Sequence, residues 1–157
     1  MTAKFQVSGS KFQVGASNLI YKYSKVTIMS KVERFEDLKV WKLTRELCQT
    51  IHKLTLKEQF SKDFKLIGQI KESSGSVMDN IAEGFEQDGN KEFIQFLSIA
   101  KGSCGETRSQ LYRAIDNGYI TQDEFDLTYD KTLECNKMLK GFITYVKDSE
   151  LKGNKFK

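Results

Sequence analysis

The stretch NKEFIQFLSIAKGSCGETRSQLYRAIDNG (residues 90–118) decides the fold. Its core positions, Phe93, Phe96/Leu97, Ala100, Cys104, Thr107, Leu111 and Ala114, step by three or four, the period of one helical face. Asn90, just after Gly89, is expected to cap this helix, and Gly118 to end it in a left-handed conformation. The same rhythm recurs on both sides. Val40, Leu43, Leu47, Ile51 and Leu54 form a first stripe, with Trp41 beside it. Ile67, Ile70, Ser74, Val77, Ile81 and Phe85 form a second, and Phe125, Thr128, Thr132, Cys135, Leu139, Phe142 and Val146 a fourth. Each segment has one face to bury, so the four must pack on one another. Thr121-Gln122-Asp123-Glu124 reads as a capping box opening the last helix. That helix has Asp123, Glu124 and Asp126 early and Lys137, Lys140 and Lys147 late, as its dipole prefers. Between the first two helices Ser61 is the expected cap. Connections this short predict an all-α, antiparallel up-down-up-down four-helix bundle over residues 34–150, with residues 151–157 as a flexible tail.

Composition agrees. The chain has 157 residues, a one-domain length, and its 39% hydrophobic and 29% charged residues read as a soluble globular protein. It holds no proline, where average usage of about 5% would give roughly eight, and that favours long uninterrupted helices. No stretch reaches the roughly 18 apolar residues of a membrane span, so no membrane role is expected. Cys48, Cys104 and Cys135 lie far apart in sequence with no Cys-x-x-Cys, which encodes neither a disulfide framework nor a zinc knuckle. A reduced, cytoplasmic setting is the expectation.

Residues 1–33 read as an extension foreign to the bundle. Lys4, Lys11, Lys22 and Lys25 give residues 1–28 a charge of +4 with no acid, which equals the net charge of the whole chain. Residues 29–157 therefore carry 21 basic and 21 acidic side chains. The extension contains a tandem seven-residue repeat, Lys-Phe-Gln-Val-Ser-Gly-Ser (4–10) then Lys-Phe-Gln-Val-Gly-Ala-Ser (11–17), with poor helix propensity. One reading is a basic arm for nucleic acid or membrane. The preferred reading is that Met29 is the native start and the preceding residues are translated upstream DNA.

Tests for chemistry give little. A di-iron bundle site needs four inward carboxylates and two Glu-x-x-His pairs, whereas His52 is the chain's one histidine. Glu83 and Glu106 are candidates to face inward, but without histidine they read as hydrogen-bonding groups, and neither a metal nor another cofactor is expected. Cys48 and His52 lie four apart on one face, more simply a core thiol and a rim imidazole than a catalytic pair. Arg45 and His52, seven apart, resemble the Arg-x6-His motif of the HEPN ribonucleases, a remote alternative. The expectation is a protein without enzymatic activity.

Small residues inside helices are the unusual feature: Ser73-Ser74-Gly75-Ser76 in the second helix, and Ala100, Gly102, Ser103 and Gly105 in the third. Glycine inside a helix costs about 1 kcal/mol relative to alanine. Close backbone approach between these helices, or against another subunit, is the expected reason; a groove kept open for a ligand is the rival.

These residues also carry a resemblance. Asn80-Ile81-Ala82-Glu83-Gly84-Phe85, Lys91-Glu92-Phe93, Phe96 through Ser103, and Glu106 resemble the signature of the 23S ribosomal RNA intervening-sequence proteins. Phe35-Glu36-Asp37-Leu38-Lys39-Val40-Trp41 is similar to that family's start, and Gly118-Tyr119-Ile120 to its turn before the last helix. The resemblance spans about residues 34–147. It implies a bacterial homo-oligomeric bundle, with a pentameric ring as the expected form. In a related branch, the accessory variability determinant of diversity-generating retroelements, it implies a positively charged barrel that binds nucleic acid and a reverse transcriptase. For most members no activity is established.

The chain departs from that pattern toward lower charge. The family's basic pair after Gln69-Ile70 is here Lys71-Glu72-Ser73 in part, and Glu86-Gln87-Asp88-Gly89 stands where basic residues are frequent. The proline usual between the first two helices is absent. Basic residues remain at Lys39, Lys42 and Arg45 on the first helix and at Lys101, Arg108 and Arg113 on the third, the candidate contacts for RNA or DNA. Asn80, Glu83, Gly84, Gly102, Ser103 and Glu106 are expected to be structural, with Asn80 and Glu83 hydrogen-bonding toward Ser103 or the facing backbone. Two function classes follow: a homo-oligomeric adaptor for nucleic acid or a nucleic-acid-processing protein, or a purely protein-interacting bundle.

Overall fold

A computed structural model describes residues 32–151. The expectations for residues 1–28, including Met29 as the start, fall outside the described residues, as does the tail beyond Leu151. Four helices make up the fold: α1 (Lys39–Thr55), α2 (Phe64–Phe85), α3 (Asn90–Asp116) and α4 (Gln122–Leu151). Each packs on its neighbours in chain order, and α4 closes the ring by packing on α1.

The registers fit the expected alternation of directions. Along α2 and α3, Gly84 lies against Phe96, Ser76 against Ser103, and Ser73 against Thr107 and Gln110, so one number falls as the other rises. Phe93 meets Phe142 at one end of the α3/α4 pair, and Tyr112 meets Phe125 and Tyr129 at the other. On α1 and α4, Glu46 pairs with Lys131, while Lys57, just past α1, pairs with Glu124.

The stripes form the core. Leu47, Ile51, Leu66, Ile70, Ile81, Leu97, Leu111 and Leu139 are fully buried, each side chain contributing about 1.5–3 kcal/mol. Threonine enters this core by satisfying its own hydroxyl. Thr44, Thr107, Thr128 and Thr132 donate to the carbonyls of Trp41, Ser103, Glu124 and Tyr129 at 2.6–3.0 Å.

The helix ends partly correct the sequence reading. Phe35–Asp37 is a separate 3-10 turn and Leu38 is extended, so α1 opens at Lys39, just before the stripe begins. The cap before α2 is Asp63, not Ser61. Its carboxylate accepts from Leu66 N at 2.9 Å and from the Tyr119 hydroxyl at 3.2 Å, while Ser61 lies inside the 3-10 turn Phe60–Lys62 and donates to Glu58 O. Buried Phe60 stacks on Tyr119 at 5.1 Å, tying the α1–α2 link to the α3–α4 link. Gly89, not Asn90, is the capping residue of α3, because its carbonyl already accepts from Phe93 N. Gly118 is left-handed at φ 70°, and Gly118 N and Tyr119 N bond Ile115 O and Ala114 O, a Schellman ending. The capping box forms as expected, Thr121 N to Glu124 Oε2 at 2.8 Å and Glu124 N to Thr121 Oγ1 at 3.2 Å.

Candidate nucleic-acid interface

Helix α3 has two polar margins, one along α2 and one along α4. On the α4 side Lys101, Gly105, Arg108 and Tyr112 follow one another at i, i+4, i+7 and i+11. Asn136, Lys140, Ile143 and Lys147 repeat that spacing on α4. Between them lies an open hollow of about 680 Å³. Its floor exists because Gly102 and Gly105 have no side chains: a Cβ at either would meet nothing within 4 Å. Lys101, Arg108, Lys140 and Lys147 line it, with no carboxylate among the lining residues. Among the described residues none of these four cations joins an ion pair; the pairs fall on Arg34, Lys57, Lys62 and Lys131. Unneutralised like charges along one groove concentrate a positive potential and draw in anions. Asn136 also lines the hollow, with its Oδ1 turned out of reach of solvent and without a hydrogen-bond partner among the described residues.

One helical turn beyond Arg108 stands an aromatic cluster. The Tyr112 ring lies 5.0 Å from Phe125 and 5.8 Å from Tyr129 in T-shaped contacts, and Phe125 stacks on Tyr129 at 5.4 Å. The hydrogen bond with Tyr129 holds the Tyr112 phenol above the usual tyrosine range, with neighbouring Arg108 pulling the other way.

The opposite margin differs. Ser73 bonds Thr107 and Gln110, and Ser76 bonds Ser103, all at 2.6–2.9 Å, so a seam of hydroxyls lets α2 and α3 approach. The approach is closest at Gly84, where a Cβ would stand 2.6 Å from Phe96 Cβ. Outside the seam is a hollow of about 450 Å³ that mixes Glu72 and Glu106 with Arg113.

Residues 36–141 match the family described as 23S rRNA-intervening sequence protein. The chain belongs to that family. It is also similar to a solved structure from Bacteroides thetaiotaomicron, described as a protein with unknown function from the S23 ribosomal protein family. The two share 30% identity and a TM-score of 0.62, over 66% of this chain and 97% of that one. No curated protein matches the chain.

Within this member of the 23S rRNA-intervening sequence family the expected contact residues separate. Lys101 and Arg108 share the groove. Arg113 lies on the other margin of α3, donating to Gln69 Oε1 at 2.8 Å. Lys39, Lys42 and Arg45 are exposed on α1, which packs on α2 and α4. Lys140 and Lys147 complete the groove, and the sequence reading took them only as dipole partners; their spacing, matching that of Lys101 and Arg108, was the available signal.

The motif residues also divide. Asn80 Nδ2 donates to Ser76 O at 2.8 Å and to Ser76 Oγ at 3.0 Å, reaching Ser103 only through Ser76. Glu83 and Glu106 are exposed rather than inward, because a buried position on this seam admits only small hydroxyls. Close packing accounts for Gly84 and Ser103, whereas Gly75, Gly102 and Gly105 face open space, where the rival open-groove reading fits better.

Among the described residues no hydrogen bond joins Cys48 to His52 or Arg45 to His52. Cys48 donates to Ser74 O at 3.2 Å, and burial pushes its thiol up, away from a nucleophilic thiolate. Arg45 and His52 are both exposed on α1. Cys104 and Cys135 come together in the core, where the contact with Cys104 and burial push the Cys135 thiol up. Among the described residues no group of three or more His, Cys, Asp or Glu gathers to hold a metal, and no described helix is long and apolar enough to cross a membrane.

Proposed function

We propose that the protein is a non-enzymatic, homo-oligomeric adaptor whose α3/α4 groove binds nucleic acid, alone or together with a nucleic-acid-processing partner in the cytoplasm. The observation that carries this reading is the groove itself: four cations without a carboxylate, in a stretch (residues 29–157) whose 21 basic and 21 acidic side chains balance. A body without net positive charge grips phosphates only where charge is gathered locally, and this groove gathers it. Self-association draws support from Leu56, Phe64 and Leu127, apolar side chains 62–82% exposed near helix ends. Those same residues favour the second reading, a bundle that contacts only proteins.

Fluorescence anisotropy of the full chain with structured RNA and with duplex DNA, across a salt series, separates the two. Four phosphate contacts give a slope of log K against log salt of about −3 to −4 on duplex DNA. Lys101→Glu with Lys140→Glu corrects for the lysines of residues 4–25, which travel with the full chain. Binding that this double variant abolishes supports the adaptor. Absence of binding at low salt leaves the protein-interacting bundle.

A further inference from the structure

We propose that the α3/α4 groove takes a single strand of nucleic acid, stacking an unpaired base on Tyr112 while the phosphates lie along Lys101, Arg108, Lys140 and Lys147. This rests on the nucleic-acid reading above and specifies its ligand.

Two features point to a strand rather than a duplex. The first is size. The groove is a hollow of about 680 Å³ between neighbouring helices, a size for a few nucleotides of one strand and not for a whole duplex. Gly102 and Gly105 deepen it at the centre, where any larger side chain would fill the floor. The second is the aromatic cluster. Tyr112 is 49% exposed while it makes T-shaped contacts with Phe125 and Tyr129, so the cluster braces an aromatic side chain that stays half open to solvent. Bases in a duplex are stacked on each other; only an unpaired base has a face to offer such a platform.

The dimensions agree. Lys101 to Tyr112 spans eleven residues, about 16 Å of helix axis, which matches roughly five nucleotides at the 3.4 Å rise of a stacked strand. Lys101 and Arg108 on that line, with Lys140 and Lys147 on α4, offer cations to the backbone, as in other single-strand channels.

The test uses the full chain and two labelled probes, a pyrimidine-rich single-stranded DNA oligonucleotide of about fifteen nucleotides and the same sequence as a blunt duplex, read by anisotropy. The single strand is expected to bind at least tenfold tighter. Tyr112→Leu, which keeps an apolar contact with Phe125, is expected to weaken the single strand by roughly tenfold, within the range that base stacking supplies, and to leave the duplex unchanged. Tyr112→Trp restores or strengthens single-strand binding, so a folding defect in the leucine variant does not confuse the result. Equal or tighter duplex binding, insensitive to position 112, overturns the single-strand inference while the nucleic-acid reading stands. Absence of binding to both probes at low salt overturns both.

Discussion

Gly84 and Gly102 lie in similar helical sequence, yet alanine at the two positions is expected to act with opposite sign. At Gly84 the new Cβ would stand 2.6 Å from Phe96 Cβ and 2.9 Å from Phe93 Cδ2. Ordinary contact begins near 3.4 Å, so α2 and α3 must part by about 0.8 Å or Phe96 must carry its helix with it; a Cβ, unlike a side-chain tip, has no rotamer to escape into. Overpacking of this kind costs about 1–3 kcal/mol. The gain in helix propensity returns about 0.5–1 kcal/mol, which leaves Gly84→Ala destabilised by about 1–2 kcal/mol. At Gly102 nothing lies within 4 Å, only the propensity gain applies, and Gly102→Ala is expected to stabilise by about 0.5–1 kcal/mol. Urea unfolding followed by far-ultraviolet circular dichroism reads the difference. With a slope of about 1–3 kcal/mol per molar, the two midpoints should differ by roughly 1 M, wild type lying between them. A Gly84→Ala protein as stable as wild type would refute the close approach of α2 and α3. A destabilised Gly102→Ala protein would show that the groove floor is covered rather than open.

Other perturbations test the ends of the bundle. Asp63→Ala removes the cap on Leu66 N and the acceptor for Tyr119, and a loss of about 1–2 kcal/mol is expected in the same urea assay. Glu124 is held below the usual carboxylate range, chiefly by the hydrogen bond from Lys57 and then by Thr121 N. Its folded value is depressed, so its contribution is complete above the unfolded value near 4.5 and is lost as pH falls through the folded one. Between pH 6 and pH 3 the urea midpoint of wild type should therefore fall further than that of Glu124→Gln, and equal falls would remove the pairing from the account. Because the Cys48 thiol is raised, its alkylation in the native protein should stay slow at neutral pH and accelerate only in alkali, as peptide mass spectrometry after iodoacetamide would show.

Much of the fold was legible because its causes are local. The four stripes recur every three or four residues, and the capping box and Gly118 draw their partners from within five residues. Asp63 escaped notice because its role depends on the 3-10 turn before it and on Tyr119, fifty-six residues away. The glycines show the same limit more sharply. Gly84 and Gly102 cannot be told apart by sequence, since what a Cβ would meet belongs to the facing helix. Half of the groove was legible as Lys101 and Arg108. Lys140 and Lys147 were visible but unassigned, because a charge on a helix face gains meaning only when the neighbouring face is known. Arg113 looked equivalent to Arg108, yet five residues turn it to the margin of α3 that faces α2, where Gln69 holds it.

The most direct test of the central claim compares two charge reversals in the full chain at one low salt concentration, with a labelled single-stranded oligonucleotide as probe. Lys101→Glu with Lys140→Glu alters the groove, whereas Lys39→Glu with Lys42→Glu alters α1 by the same charge. Loss of binding in the groove variant, with the α1 variant close to wild type, is the predicted result. Equal losses in both, or a loss confined to the α1 variant, would contradict it.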